Sequence, residues 1–107
     1  MKDAYGKERT ISYWLNQVGV GWRAILHPLL VYLKSIGVDV FDVKEKFGTL
    51  RVYTESVSEV DQEIIDSAEI LSTIICECCG APGELRMDLP WRKTLCPKCL
   101  DKARKRT

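Results

Sequence analysis

The sequence has no apolar run near the roughly 20 residues that a membrane-spanning helix requires, so a transmembrane protein is not expected. Its first ten residues, MKDAYGKERT, are polar and lack the apolar core of a secretory signal peptide. The expected location is therefore the cytoplasm, which is a reducing compartment. Cysteines that cluster in such a protein are more typical of metal ligands or redox groups than of structural disulfides.

The common signatures of catalysis are also missing. The single histidine, His27, is far from the cysteines and adjoins Pro28 in an apolar stretch, which is typical of an ordinary core or surface histidine. No glycine-rich phosphate loop is present, and no serine or cysteine nucleophile stands beside a base. We therefore expect a protein that is not an enzyme. A minor enzymatic alternative would use charged residues of one predicted hairpin, namely Lys44, Glu45, Lys46 and Arg51.

What the chain does contain is an ordinary globular composition with an uneven charge. Its 107 residues are 46% hydrophobic and 29% charged, which is typical of one small domain or of one domain with an appendage. Residues 1–75 carry 8 Lys/Arg and 11 Asp/Glu, a net charge of −3, whereas residues 76–107 carry 8 and 4, a net charge of +4. The basic end either contacts nucleic acid or forms a solvated last helix whose cations favour the helix C-terminus.

Hydrophobic periodicity predicts two helices at the start of the chain. The segment 11–18 places apolar residues on one helical face, and Thr10 is a plausible N-cap. The segment 21–37 continues the helical period and ends at Gly37, a suitable C-cap. Pro28 either begins this second helix in its first turn or kinks a longer one.

The period then changes to that of a β-hairpin over 38–54, with its turn near Phe47–Gly48. The sequence SEVD at 58–61 has the spacing of a capping box and predicts the start of a long helix. Residues 1–75 are therefore expected to form helix, helix, hairpin, helix. The expected buried face of the last helix comprises Val60, Ile64, Ala68, Leu71 and Ile75, with Ile65 close beside it.

All five cysteines fall within residues 76–99. Cys76-x2-Cys79 is followed by sixteen residues and then by Cys96-x2-Cys99, and two such pairs at this separation predict a zinc site. Zinc takes four thiolates in a tetrahedron at about 2.3 Å. Gly80 suits the tight turn of the first pair. The predicted cofactor is thus one zinc ion.

Cys78 is left out of this ligand set and is expected to be a tolerated small apolar residue, although a reactive thiol is an alternative. A site with four thiolates is closed, so we expect it to be structural rather than catalytic. Thioredoxin-like dithiols are a second explanation of the pairs, but two pairs at this spacing fit one redox motif poorly.

The fold class that follows is α+β: helices packed on a β-hairpin over residues 1–75, followed by a four-cysteine zinc ribbon with a short basic helix over residues 76–107. Four segments, GVGWRAILHPLLVYL, VKEKFGTLRVY, AEILS and CECCGAPGELR…TLCPKC, occur in that order. Over about residues 19–99 they resemble a group of small bacterial and phage-type zinc-ribbon proteins. The shared positions are Trp22, 43–53, Cys76, Cys79, Gly80, Pro82, Gly83, Cys96 and Cys99.

In that group the last ligand pair often contains a histidine, whereas here it ends in Cys99, which makes the predicted site fully thiolate. The resemblance implies a compact domain with a metal site, and it implies no activity. Together with the closed site, it favours a non-catalytic binding module whose partner is a protein, such as a host or defence protein inhibited by a phage-type domain. The charged hairpin supplies the predicted partner-binding residues Lys44, Lys46, Phe47 and Arg51.

The alternative function is nucleic-acid binding through the basic C-terminal part. Cations there would contact phosphates, and Trp91 would either stack on a base or cap the small core of the ribbon. The predicted nucleic-acid-binding residues are Arg92, Lys93, Arg104, Lys105 and Arg106.

Overall fold

The computed structural model describes residues 1–105, and its first elements are helical. Helix α1 spans Ile11–Leu15 and begins after Thr10, whose hydroxyl accepts a backbone N–H of the first turn at 3.0 Å. A 3-10 turn at Val20–Trp22 leads into helix α2, Arg23–Ser35. Both predicted helices and the predicted cap are therefore confirmed, although α1 is shorter than expected.

Helix α2 contains Pro28 and ends before Gly37 in a defined cap. Pro28 lies inside the helix, in its second turn, so it does not begin the helix. At the other end, the N–H of Val38 donates to the carbonyl of Leu33 at 2.9 Å, and the N–H of Gly37 donates to Lys34 at 3.1 Å. These two bonds form a Schellman motif, which explains why the helix stops where a glycine was available.

The predicted hairpin is present. Strand β1 spans Val40–Lys46 and strand β2 spans Thr49–Thr54, and the two pair antiparallel. Phe47 and Gly48 form the turn between them, with φ of 54° and 83°. Two positive φ values in a two-residue loop are the signature of a type I′ turn, which matches the twist of the strands.

Helix α3 spans Glu59–Leu71 and is followed by a 3-10 turn at Ser72–Ile74. As predicted, Ser58 caps it, accepting the N–H of Asp61 at 3.1 Å. The predicted buried face was wrong in part. Ile65 and Ala68 are buried, whereas three residues expected to be buried are exposed: Val60, Ile64 and Leu71.

A different face of α3 is buried because, among the described residues, β2 has no strand partner on the side away from β1, and two of its backbone N–H groups bond to side chains of α3 and its extension. The hydroxyl of Ser72 accepts the N–H of Leu50 at 2.9 Å, and the carboxylate of Glu69 accepts the N–H of Val52 at 2.9 Å. Buried backbone N–H groups must find partners, and here side chains of α3 and its extension supply them. The polar pair therefore faces the strand, and the apolar residues on the other side of α3 face outward.

Residues 76–105, which we call the cysteine module, add a second small hairpin and a last helix. Strand β3, Glu84–Arg86, pairs antiparallel with β4, Lys93–Leu95, and α4 spans Pro97–Lys105. The chain is thus mixed α+β, as predicted. Within residues 1–105, no helix combines the length and the apolar character needed to cross a membrane.

Two hydrophobic clusters support these elements. The smaller one lies in the cysteine module and contains Cys76, Cys96, Leu95 and Leu100. The larger one joins α1, α2, the first hairpin and α3, and its members are Trp14, Trp22, Leu26, Leu29, Leu30, Leu33, Val40, Val43, Leu50, Val52, Ile65 and Ala68.

Candidate metal centre

The four cysteines predicted as ligands lie together. The sulfur atoms of Cys76, Cys79, Cys96 and Cys99 are all within 4.8 Å of one another, and those of Cys79 and Cys96 are 3.6 Å apart. A tetrahedron with bonds of about 2.3 Å separates its sulfur atoms by about 3.8 Å, whereas a disulfide requires about 2.05 Å. The spacing therefore fits four ligands around one ion and does not fit a disulfide.

The first pair of ligands lies on a tight loop. The N–H of Gly80 donates to the carbonyl of Cys76 at 2.9 Å, and the N–H of Cys76 donates to the carbonyl of Ala81 at 2.8 Å. Gly80 has φ of 84°, as its place after Cys79 predicted. A residue with a side chain would be strained in this conformation, so glycine allows the loop to bring both sulfurs to one side.

The second pair lies at the start of α4. Cys96 immediately precedes the helix, Pro97 is its first residue, and the N–H of Cys99 donates to the sulfur of Cys96 at 3.4 Å. Proline suits this first position because its missing N–H has no partner there. The positive end of the helix dipole also favours a thiolate at Cys96.

The thiols differ in their tendency to ionise. Burial raises the pKa of Cys76, but hydrogen bonds from the backbone at Cys96, Cys79 and Cys78 outweigh it and lower the pKa to about 6. The backbone N–H of Cys99 lowers the pKa of Cys96 in the same way, whereas burial raises the pKa of Cys99. Because neighbouring thiolates repel, all four ionise together only with a cation among them.

Cys78 is not part of this cluster. The residue as a whole is exposed. Partial desolvation of its thiol, together with the negative charges of Cys76 and Glu77, raises the pKa of Cys78. A raised pKa leaves less of the reactive thiolate at neutral pH. The geometry thus agrees with a ligand set that omits Cys78.

The loop that carries Cys76 and Cys79 packs on the turn before α2. The backbone of Gly21 lies so close to it that a Cβ atom would fall 2.0 Å from the carbonyl oxygen of Cys76. The N–H of Gly21 donates to the carbonyl of Glu77 at 2.9 Å, and the indole N–H of Trp22 donates to the carbonyl of Ile75 at 2.9 Å. The Gly-Trp pair therefore holds the start of the cysteine module.

Three of the hairpin residues predicted to bind a partner, Lys44, Lys46 and Arg51, share one face of β1 and β2. Lys44 lies directly opposite Arg51, and Lys46 lies opposite Thr49. Phe47 at the tip is exposed. The other residue of the turn, Gly48, contacts the cysteine module: its carbonyl accepts the hydroxyl of the buried Thr94 at 2.8 Å.

The basic residues predicted to bind nucleic acid differ in their contacts. Lys93 lies 3.4 Å from the carboxylate of Glu77, and Arg104 lies 2.6 Å from that of Asp88. Arg92 and Lys105 are exposed, and Arg106 lies outside the described residues. A cleft of about 460 Å³ brings Lys93 together with the side chains of Trp91 and Lys102.

Two features were missed by sequence reasoning. The first is Glu77, within the first cysteine pair, which is buried; burial raises the pKa of its carboxyl, whereas Lys93 lowers it. Its position between Cys76 and Cys78 was the sequence signal that could have indicated its burial beside the cluster. The second is a groove lined by aromatic side chains from three distant segments, which no local pattern reveals: Tyr5, Tyr13, Trp14, Phe41 and Tyr53.

No protein-family model, no curated protein and no solved structure matches this chain.

Proposed function

We propose that the chain is a zinc-stabilised, non-catalytic module that binds a protein partner. The support for zinc is the donor set: four thiolates at tetrahedral spacing suit this ion, and they leave no coordination position for water or substrate. The cysteine module would accordingly be a zinc ribbon. On this reading the metal holds the fold together, and the exposed surface carries the function.

The observation that carries the protein-binding role is an apolar face of α3 and its extension. We call it the α3 band. Monomeric proteins rarely expose contiguous apolar patches without a use for them. Four of its members recur at helical spacing along one side, and the fifth adjoins them. Its residues, which are 39% to 68% exposed, are Val60, Ile64, Ile70, Leu71 and Ile74.

Acidic residues flank the α3 band. Glu59, Glu63 and Asp66 are exposed on the same helix, which carries no basic residue. A complementary partner surface would have an apolar centre and a basic rim, because opposite potentials steer association and exclude wrong partners. By analogy with small phage-type domains, the partner would be a host or defence protein that is inhibited when this surface is occupied.

The experiment is affinity capture from a bacterial lysate with three forms of the metal-loaded protein. Ile70→Glu places a charge in the α3 band and should abolish retention of the partner. Val31→Glu is the matched control, because Val31 is an exposed aliphatic residue of α2 outside the band. Retention of the same protein by all three forms, or of none by the unaltered chain, would contradict the role of the band.

The predicted hairpin surface is tested in parallel. If Lys44, Lys46 and Arg51 contact the partner, reversing the charge of Lys46 should slow association more than it speeds dissociation, because exposed charges act mainly on the association rate. Lys34→Glu on α2 is the control for a change in net charge. Equal association rates for both variants would remove the hairpin from the interface.

A second candidate function, nucleic-acid binding, is favoured by the cleft beside the metal centre. Trp91, Lys93 and Lys102 all line this cleft, and the side chain of Trp91 is 79% exposed. An exposed indole next to cations is the arrangement that stacks on bases while contacting phosphates. Single-stranded oligothymidine should quench the Trp91 fluorescence, and the affinity should fall steeply with salt.

In this experiment Trp91→Ala should lose binding, whereas Lys34→Ala should retain it. An affinity that does not change with salt concentration, or no binding at low salt, would contradict nucleic-acid binding.

A further inference from the structure

We propose that the α3 band of one chain docks into the cleft beside the metal centre of a second copy, so that copies associate head to tail. The inference rests on the band being a binding surface, as in the proposed function, and it names an occupant of that surface. Because the contact joins two different surfaces, each pair of copies still presents one free band and one free cleft, and further copies can add.

The cleft has an apolar lining with cations around it. Its volume is about 460 Å³, and no carboxylate belongs to its lining among residues 1–105. Lys93 and Lys102 line it, and the exposed Arg92 follows Trp91 in the chain. The side chain of Lys93 remains 45% exposed although its ammonium pairs with the buried Glu77 at 3.4 Å. Apart from three cysteines, the rest of the lining is apolar: Leu89, Pro90, Trp91, Leu95 and Ala103.

The α3 band has the opposite charge on a convex helix face. Helix α3 carries five acidic residues and no basic residue. Ile70 and Ile74 are 68% and 57% exposed, and Asp66 lies one helical turn before Ile70 on the same side. Aliphatic side chains of a helix commonly bind by entering a concave apolar surface. The band therefore supplies the apolar side chains and the carboxylates that the cleft would accept.

The chain thus carries both halves of one interface. The acidic flanks of the band require a surface with an apolar centre and a basic rim, and the cleft has this composition. Within one copy the two surfaces do not fill each other, because the band and Trp91 stay exposed. In the part of the chain that the structure describes, no lining residue of the cleft belongs to α3 or its extension. Contact between a band and a cleft consequently requires two copies.

Charge favours this contact over the two symmetric ones. Two bands face to face would bring together the carboxylates of Glu59, Glu63 and Asp66 from both copies, and two clefts would bring together their lysines. Like charges across an interface are unfavourable, whereas opposite charges attract. The net charges of −3 for residues 1–75 and +4 for residues 76–107 act in the same direction at longer range.

The test begins with analytical ultracentrifugation of the metal-loaded chain. A reductant is present so that the exposed Cys78 forms no disulfide between copies. From micromolar to near-millimolar concentration, the average mass should rise past that of a dimer, and high salt should reverse the rise because it screens the charges. Ile70→Lys and Trp91→Ala should each weaken association by about thirtyfold, the loss expected at the centre of an interface.

An equal mixture of these two variants tests the pairing of the surfaces. The Trp91→Ala chain has an intact band and the Ile70→Lys chain has an intact cleft, so together they should form a one-to-one pair. This pair should not grow, because its remaining band and cleft are both altered, and its formation shows that both variants are folded. The controls are Val31→Lys and Tyr5→Ala, which change exposed residues outside both surfaces and should associate as the unaltered chain does.

An unaltered chain that stays monomeric, or an assembly that stops at a dimer, would overturn the proposal. Self-association of Trp91→Ala alone would overturn it by indicating contact between two bands, and self-association of Ile70→Lys alone would do so by indicating contact between two clefts. Capture from a lysate tests the proposed function separately. If a partner is captured through the band but the purified chain stays monomeric, the proposed function stands and this inference falls.

Discussion

The backbone N–H of Gly21 and the carbonyl oxygen of Glu77 are joined by a hydrogen bond of 2.9 Å. This bond connects the turn before α2 to the loop that carries Cys76 and Cys79. A Cβ at Gly21 would fall 2.0 Å from the carbonyl oxygen of Cys76, a backbone atom that cannot move aside. Gly21→Ala should therefore lower the free energy of unfolding by about 3 kcal/mol in urea denaturation.

The control for this prediction is Gly6→Ala. Gly6 has φ of 78° and open space around its Cβ position, so this variant reports backbone strain without a clash. Its expected cost is about 1 kcal/mol. If the two variants lose equal stability, close contact is not what requires glycine at position 21.

Zinc stoichiometry and ligand identity form the second prediction. One zinc should bind per chain, and Cys96→Ser should release it and unfold at least the cysteine module. Structural zinc contributes about 10–16 kcal/mol of apparent binding free energy in small finger peptides, more than the net stability of a typical domain. Elemental analysis and thermal melts measure the two effects.

Cys78→Ser is the matched control, because Cys78 belongs to the same loop but not to the ligand cluster. It should keep the zinc and melt within a few degrees of the unaltered chain. Loss of zinc from both variants alike would show that the ligand assignment is wrong.

The third prediction concerns pH. Burial is the main influence that raises the pKa of Glu69 above its ordinary 4.5, opposed by the Val52 N–H and by Arg51. The folded chain therefore holds this proton more tightly than the unfolded chain, so the contribution of Glu69 to stability falls as the pH rises through this raised pKa. Glu69→Gln should reduce the fall, since an amide oxygen still accepts the Val52 N–H without a buried charge.

Urea denaturation at pH 4.5 and at neutral pH measures this difference. Glu63→Gln, an exposed change on the same helix, should leave the pH dependence as it is. The prediction fails if Glu69→Gln is much less stable than the unaltered chain at neutral pH, because the ionised carboxylate would then be needed.

The fourth prediction is the contact between Thr94 and the hairpin tip. Thr94→Val removes the hydroxyl that donates to the carbonyl of Gly48 and should cost about 1–3 kcal/mol, because a buried acceptor is left unpaired. Thr73→Val removes a hydroxyl that bonds only within its own helical turn and should cost less. Equal losses in chemical denaturation would contradict a special role for the Thr94 bond.

Local signals in the sequence predicted the fold well. Thr10, Ser58 and Gly37 marked helix ends because caps depend on neighbouring residues, and the ligand cluster followed from cysteine spacing. The face of α3 was misjudged because Glu69 and Ser72 turn inward to bond a strand that is distant in sequence. The aromatic groove was missed for the same reason, since tertiary structure alone brings its three segments together.

The order in which the ligands occur along the chain has a consequence for biosynthesis. Gly21 and Trp22 precede the loop that receives them in the sequence, and the sulfur cluster that this loop begins is complete only with Cys96 and Cys99. A polypeptide that stalls before residue 96 therefore exposes the Gly-Trp turn and should remain open to protease there. Released chains ending at residues 95 and 105 can be compared by this criterion. A bound metal would then distinguish chains that contain all four cysteines of the cluster from chains that lack the second pair.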